Sequence, residues 1–167
     1  MRNHYMTIDP GLPGSGFAMW DEEYWKAQII SDDKLLCNKP EYHAVHNFKS
    51  TEKYLDQIII YIKMFQIKKV WIENAAYMGG SAKGQMVADT GRLIKLAKFV
   101  GAIEAVCWTM SVPCIPVEVK EWKGTLPKDV CNHRILRVWP ECDCKSHDWD
   151  AVGIGMYLMG LINQRNK

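Results

Sequence analysis

No sign of charge dominates this chain. Lys and Arg number 21 against 19 Asp and Glu, a formal balance of +2, so the basic excess by which many nucleic-acid modules declare themselves is missing. Any such partner has to be argued from local sites. Long apolar runs are missing too. The longest uncharged apolar stretches, 105–117 with Pro113 and Pro116 inside it and 151–162, fall short of the roughly 18–20 residues that a membrane span needs, so no membrane partner is expected. The first residues lack the charged, apolar and small-residue series of a secretory leader, which makes the cytosol the expected location. Regular cysteine spacing is absent as well. Cys37, Cys107, Cys114, Cys131, Cys142 and Cys144 are scattered, and in a cytosolic chain they read as reduced thiols. With no internal repeat, low-complexity tract or linker, one domain over residues 1–167 is expected. What the chain does have is apolar content, 48% of 167 residues. A domain of about 150 residues hides roughly 68–70% of its unfolded surface, enough for a substantial core.

The pattern along the chain alternates between strand and helix. Residues 5–9 form a β-prone run that stops at Pro10-Gly11, and 14–20 resume after a Gly/Pro-rich turn, which predicts a hairpin. A third run, 24–30, follows the acidic turn Asp21-Glu22-Glu23 and would extend an antiparallel meander, whereas 31–49 read as a polar loop. From Ser50 onward Leu55, Ile58, Ile59, Ile62 and Phe65 recur at helical spacing, with Ser50 or Thr51 available as N-cap. Residues 69–73 are then a buried strand of the kind placed by a β-α-β crossover. After Gly79-Gly80 the stretch 85–110 is helical in pattern, divided at Gly91 and Gly101, and 114–119 form a fifth strand. Two more helices are predicted over 127–138, with Pro127 in its first turn, Ile135 and Val138 on one face and Pro140 as its stop, and over 147–163, with Val152, Met156, Leu158, Met159 and Ile162 apolar. The order implies an α/β chain with a five-stranded mixed sheet, its first three strands antiparallel and the rest parallel, flanked by helices.

Acidic residues fall at the ends of these elements. Asp9 closes the first strand, Glu73 closes the fourth, and His147-Asp148-Trp149-Asp150-Ala151 opens the last helix. If strands one and four are neighbours, Asp9 and Glu73 share one edge. Positions 147 and 150 share a helical face, and a helix across that edge would bring them to the carboxylates. Three acids and an imidazole are costly to gather without a cation, because like charges disfavour one another's ionised forms. Oxygen-rich clusters of this kind suit Mg²⁺ or Mn²⁺, and paired ions serve phosphodiester hydrolysis. Each part has a plainer reading: Asp9-Pro10-Gly11 as a turn, Glu73 as a solvated strand end, Asp148 and Asp150 as favourable charges at a helix start.

Taken together, Ile8-Asp9-Pro10-Gly11 with Gly14 and Gly16, Val70-Trp71-Ile72-Glu73, Val119-Lys120-Glu121-Trp122-Lys123-Gly124 with Lys128, and His147-Asp148-Trp149-Asp150-Ala151 resemble the RuvC family of Holliday junction resolvases. That family lies within the RNase H-like superfamily, and the likeness is greatest to its divergent, phage-type members. It covers almost the whole chain. It implies an RNase H-like fold, a homodimer in the cytosol of a bacterium or a phage-infected host, and a Mg²⁺-dependent endonuclease, with Mn²⁺ able to substitute and no small-molecule cofactor. Four-way DNA junctions would be its substrate, opened by paired nicks that leave 5′-phosphate and 3′-hydroxyl ends. The resemblance further implies Asp9, Glu73, His147 and Asp150 as metal ligands and catalytic residues. Some family members carry Asp where this chain has His147, and Asp148 is a further candidate for the third ligand. An aromatic that the family projects into the junction centre corresponds to Tyr77, although a core or loop tyrosine is the plainer reading.

Candidate DNA contacts lie in 120–137, where Lys120, Lys123, Lys128, Arg134 and Arg137 outnumber Glu121 and Asp129. Phosphate neutralisation could begin there. Lys123 and Lys128 are favoured because they fall in the family-like segment, and Lys83, Arg92, Lys95 and Lys98 would add a stripe along the preceding helix. Trp122 reads as core or as a strut for the basic loop. A competing metal reading takes Cys131, His133, Cys142, Cys144 and His147 as zinc ligands, but their spacing is irregular for a closed site. Three other functions remain open: an RNase H-like phosphotransferase or ATPase, which lacks a second phosphate loop; a non-catalytic junction-binding protein; and a less selective nuclease that debranches phage DNA.

Overall fold

A computed structural model of the chain describes residues 2–11, 14–23, 25–26, 39–47, 50–74, 91–145 and 147–162. At its centre is a five-stranded sheet built from β1 (His4–Asp9), β2 (Gly14–Asp21), β3 (Tyr42–Asn47), β4 (Ile67–Glu73) and β5 (Cys114–Val117), in the order β3-β2-β1-β4-β5. β1 pairs antiparallel with β2, and β2 with β3, while β1–β4 and β4–β5 are parallel. The mixed sheet with three antiparallel strands at one side is the one predicted. Its third strand is not where the sequence suggests. Trp25 and Lys26, inside the expected strand 24–30, are helical, and β3 lies within the expected polar loop. As an edge strand β3 is only half-buried, so it carries little of the apolar alternation that marks a strand with a core face. β5 forms the opposite edge, where Pro116, which has no N–H to give to a ladder, is tolerated.

Side chains leaving β1 alternate between two cores. Met6 and Ile8 join Phe17, Met19, Val70 and Ile72 beneath α1 (Thr51–Met64) and α2 (Arg92–Thr109). Ser50 caps α1 by accepting from the Lys53 N–H, and the helix buries Tyr54, Ile58, Tyr61 and Ile62. That face is rotated from the expected one, since Leu55, Ile59 and Phe65 stay partly exposed. Over its described residues α2 runs unbroken through Gly101, where a division was expected. Gly91, with φ of 65°, precedes it in the left-handed region.

Tyr5 and Thr7 point to the other face, toward α5 (Asp148–Leu158), with α4 (Lys128–Val138) outside it and the four-residue α3 (Val119–Trp122) at its flank. The predicted helix over 127–138 forms one residue later, with Pro127 at its N-cap. α5 ends at Leu158, and Gly160, with φ of 72°, turns the chain. Residues 151–156 of α5 are all buried, because the helix is enclosed by sheet and helices. Two glycines make such close packing feasible: a Cβ on Gly155 would lie 2.2 Å from the Trp20 ring and one on Gly153 2.7 Å from Trp122. No helix among the described residues is long and apolar enough to cross a membrane.

Candidate metal centre

The parallel pairing of β1 and β4 runs to Ile8 opposite Ile72, and the next residues are Asp9 and Glu73, at the carboxyl ends of adjacent strands. Both face the side covered by α5. The start of that helix is pinned down by a buried polar relay: the Trp20 indole N–H donates to the Thr7 hydroxyl at 3.0 Å, and Thr7 donates to the Ala151 carbonyl at 2.7 Å. Gly16, beside Asp9 on β2, removes the remaining obstacle. A Cβ there would stand 2.2 Å from the His147 carbonyl oxygen. The main chain at His147 therefore lies almost on the sheet, and the His147 Nδ1 meets Asp9 Oδ2 at 2.8 Å. Its imidazole covers the turn after β1, 3.0 Å from where a Cβ on Gly11 or Gly14 would be.

Glu73 is held from the flank. The indole N–H of Trp122, itself buried, donates to Glu73 Oε2 at 3.0 Å. Asp150, one helical turn beyond His147, is gripped by two ammonium groups, Lys123 Nζ on Oδ1 and Lys128 Nζ on Oδ2, each at 3.3 Å. The electrostatics are those of crowded anions in a poorly solvated place. Burial, and then the charges of Asp9 and Asp150, push the Glu73 carboxyl up to about 8. Burial also raises Asp9, with Asp150 adding to the effect and His147 opposing it. The contact with Asp9 in turn raises His147. Carboxylates held this way lack enough positive charge to stay ionised together, which is the condition a bound cation relieves. Three carboxylates and one imidazole form a mostly hard donor set, and it fits Mg²⁺ or Mn²⁺ better than a thiolate-seeking metal.

Of the four residues expected at a metal, Asp9 and His147 are in contact, Glu73 ends the neighbouring strand and Asp150 lies in the first turn of α5, but no three of their donor atoms converge within 4.8 Å. Asp148 does not point toward them. It is buried elsewhere, accepting the Lys145 N–H at 2.9 Å and lying 3.1 Å from His43 Nδ1. Lys123 and Lys128, expected at DNA, are counter-ions of Asp150, and the Lys123 ammonium also lies 5.3 Å from the centre of the Trp122 ring. Lys120 is exposed on α3, and Arg92, Lys95 and Lys98 are exposed on α2. Tyr77, Lys83 and Cys37 lie outside the described residues. The five described cysteines are free thiols. The competing zinc grouping of Cys131, His133, Cys142, Cys144 and His147 is divided, since His147 faces Asp9 whereas Cys144 faces His43. Thr7, Trp20 and the bond from Trp122 to Glu73 had no signal in the sequence beyond apolar pattern.

Comparison with known proteins fits this geometry into a fold. No protein-family model and no curated protein matches the sequence. Solved structures do match. RuvC of T. thermophilus in complex with a Holliday junction substrate aligns over 93% of this chain and 92% of its own, at 16% identity and a TM-score of 0.60. The fold is that of RuvC. A second Thermus thermophilus RuvC structure covers 96% of this chain and 98% of its own, at 14% identity and a TM-score of 0.57. The RuvC fold is RNase H-like, and here its mixed sheet puts Asp9 and Glu73 on neighbouring strand ends beneath the first turn of α5.

Proposed function

We propose that this chain is a single-domain, Mg²⁺-dependent endonuclease that resolves four-way DNA junctions by paired nicks, acting as a homodimer in the cytosol of a bacterium or a phage-infected cell. The observation that carries the reading is the placement of Asp9 and Glu73 at the adjacent carboxyl ends of β1 and β4, with His147 against Asp9, on a RuvC-like fold. The neighbouring RuvC structure that holds a Holliday junction supports the choice of substrate.

Asp9, Glu73 and Asp150 would hold Mg²⁺, with Mn²⁺ as a substitute and His147 as the fourth candidate ligand. When bound, such ions activate the attacking water and stabilise the leaving oxygen. The chain's own groups do the positioning. Trp122 fixes one oxygen of Glu73, and the relay through Trp20 and Thr7 fixes the turn that carries Asp150. His147, with Nδ1 on Asp9, would serve either as a ligand or to orient the attacking water. Lys123 and Lys128 neutralise Asp150 until a cation does so, and their ammonium groups then serve the phosphate. Lys120 extends this basic edge, and Tyr77 is assigned to the junction centre.

The test is cleavage of a synthetic four-way junction beside a linear duplex of the same sequence, in Mg²⁺ or EDTA. Symmetrical nicks in the junction that need Mg²⁺ are expected. Cleavage in EDTA would overturn the metal mechanism. Equal cutting of the duplex would overturn junction selectivity.

A further inference from the structure

The residue next to His147 belongs to a different cluster. Asp148, Cys144 and His43 each direct one donor atom into a space where all three lie within 4.8 Å of one another. His43 Nδ1 is 3.1 Å from Asp148 Oδ2 and 3.9 Å from Cys144 Sγ. Cys142 neighbours Cys144 in sequence but is not among the three converging donors. Cys144 and Asp148 are buried, and Trp139 packs edge-on against the His43 ring with centroids 5.4 Å apart.

An imidazole beside a carboxylate is ordinarily an ion pair, but that reading gives the buried Cys144 thiol no part. One sulfur, one nitrogen and one oxygen form a borderline-soft set that suits zinc and not magnesium, with the fourth tetrahedral position left to water. The spacing agrees: tetrahedral zinc with bonds of about 2.0–2.3 Å separates its donors by about 3.3–3.8 Å, and the two His43 distances, 3.1 and 3.9 Å, bracket that range. The outer contacts agree as well. His43 Nε2 lies 3.0 Å from Asp143 Oδ1, so an Nε2–H donated there leaves the Nδ1 lone pair facing the cluster. This is the carboxylate–histidine–metal arrangement that orients ligating imidazoles. The second oxygen of Asp148 is fixed by the Lys145 N–H at 2.9 Å.

We propose that His43, Cys144 and Asp148 bind one Zn²⁺, which ties edge strand β3 to the segment leading into α5. The ion clamps the main chain one residue from His147, through a site chemically distinct from the carboxylate cluster. Binding displaces the Cys144 thiol proton to solvent.

The experiment uses the full chain, purified without chelator and dialysed against excess Mg²⁺, with zinc measured by mass spectrometry and Co²⁺ then exchanged in as a spectroscopic probe. One zinc per chain and a thiolate-to-cobalt charge-transfer band are expected in the native protein and in Asp9→Asn, and both should be lost in Cys144→Ser and His43→Ala. A folded native chain with neither zinc nor the band overturns the proposal, as does a band that survives Cys144→Ser. The native chain is decisive by itself when it holds no zinc, so a variant that fails to fold leaves the proposal falsifiable. The readout is also independent of DNA cleavage.

Discussion

Glu73 is held at the centre of the carboxylate cluster by a neutral donor, the Trp122 indole, while burial and two neighbouring acids oppose its charge. Trp122→Phe keeps most of the aromatic packing against Val117 and Ile154 and deletes only that donor. Loss of an outer hydrogen bond to a metal ligand costs about 10–100-fold in metal affinity or activity. The Mg²⁺ titration of cleavage should therefore move to higher concentration by that order, with the rate recovering at saturation. An equal loss at saturating Mg²⁺ would instead mark Trp122 as structural. The four candidate ligands were legible because Asp9 and Glu73 end strands and His147 and Asp150 share a helix face. The bond from Trp122 was not, since its partner is 49 residues away and nothing local says which way so short a helix turns. Lys123 and Lys128 were legible as basic but not as counter-ions of Asp150, because the two segments meet only through tertiary packing.

At the scale of elements, the seat of α5 decides the geometry. Its first turn presses on β2 at Gly16, where an added Cβ would stand 2.2 Å from one main-chain oxygen and 2.6 Å from the Asp148 nitrogen. Main chain cannot swing aside as a side chain can, so Gly16→Ala should destabilise the protein by about 1–3 kcal/mol through overpacking and displace His147. Urea unfolding and junction cleavage read the two effects, and a variant with native stability and rate would contradict them. Gly101→Ala is the control. It sits on the exposed face of α2 with nothing within 4 Å, and alanine should add about 0.5–1 kcal/mol of stability there. Most of the sheet was legible from alternation and crossover. β3 was not: its sequence Tyr-His-Ala-Val-His-Asn places two histidines on an edge, where polar partners take the place of a core. His43 reaches Asp148 and His46 reaches Tyr61, and neither partner is visible in a local window.

For the molecule as a whole, the net charge of +2 conceals a separation. Acids are gathered where β1, β4 and α5 meet, and bases lie exposed along α2, α3 and α4. The raised Glu73, Asp9 and His147 act in one direction on stability. Each group keeps its proton in the folded chain at a pH where the unfolded chain has released it. Metal-free protein should therefore lose stability as pH rises from the ordinary carboxylate range through about 8, the Glu73 value. Glu73→Gln should flatten that fall and melt higher than the native chain in EDTA. Mg²⁺ should stabilise the native chain instead, by about 2.7 kcal/mol at a hundredfold excess over its Kd. That corresponds to roughly 5–10 °C for a chain of this size, and the shift should shrink in Glu73→Gln. A native melting temperature indifferent to Mg²⁺ would argue against a cation at these carboxylates. The most direct test pairs binding with cleavage on one four-way junction, for the native chain and Asp9→Asn in Mg²⁺. The account predicts that Asp9→Asn binds the junction as the native protein does and does not cut it; cleavage by Asp9→Asn at the native rate would contradict it.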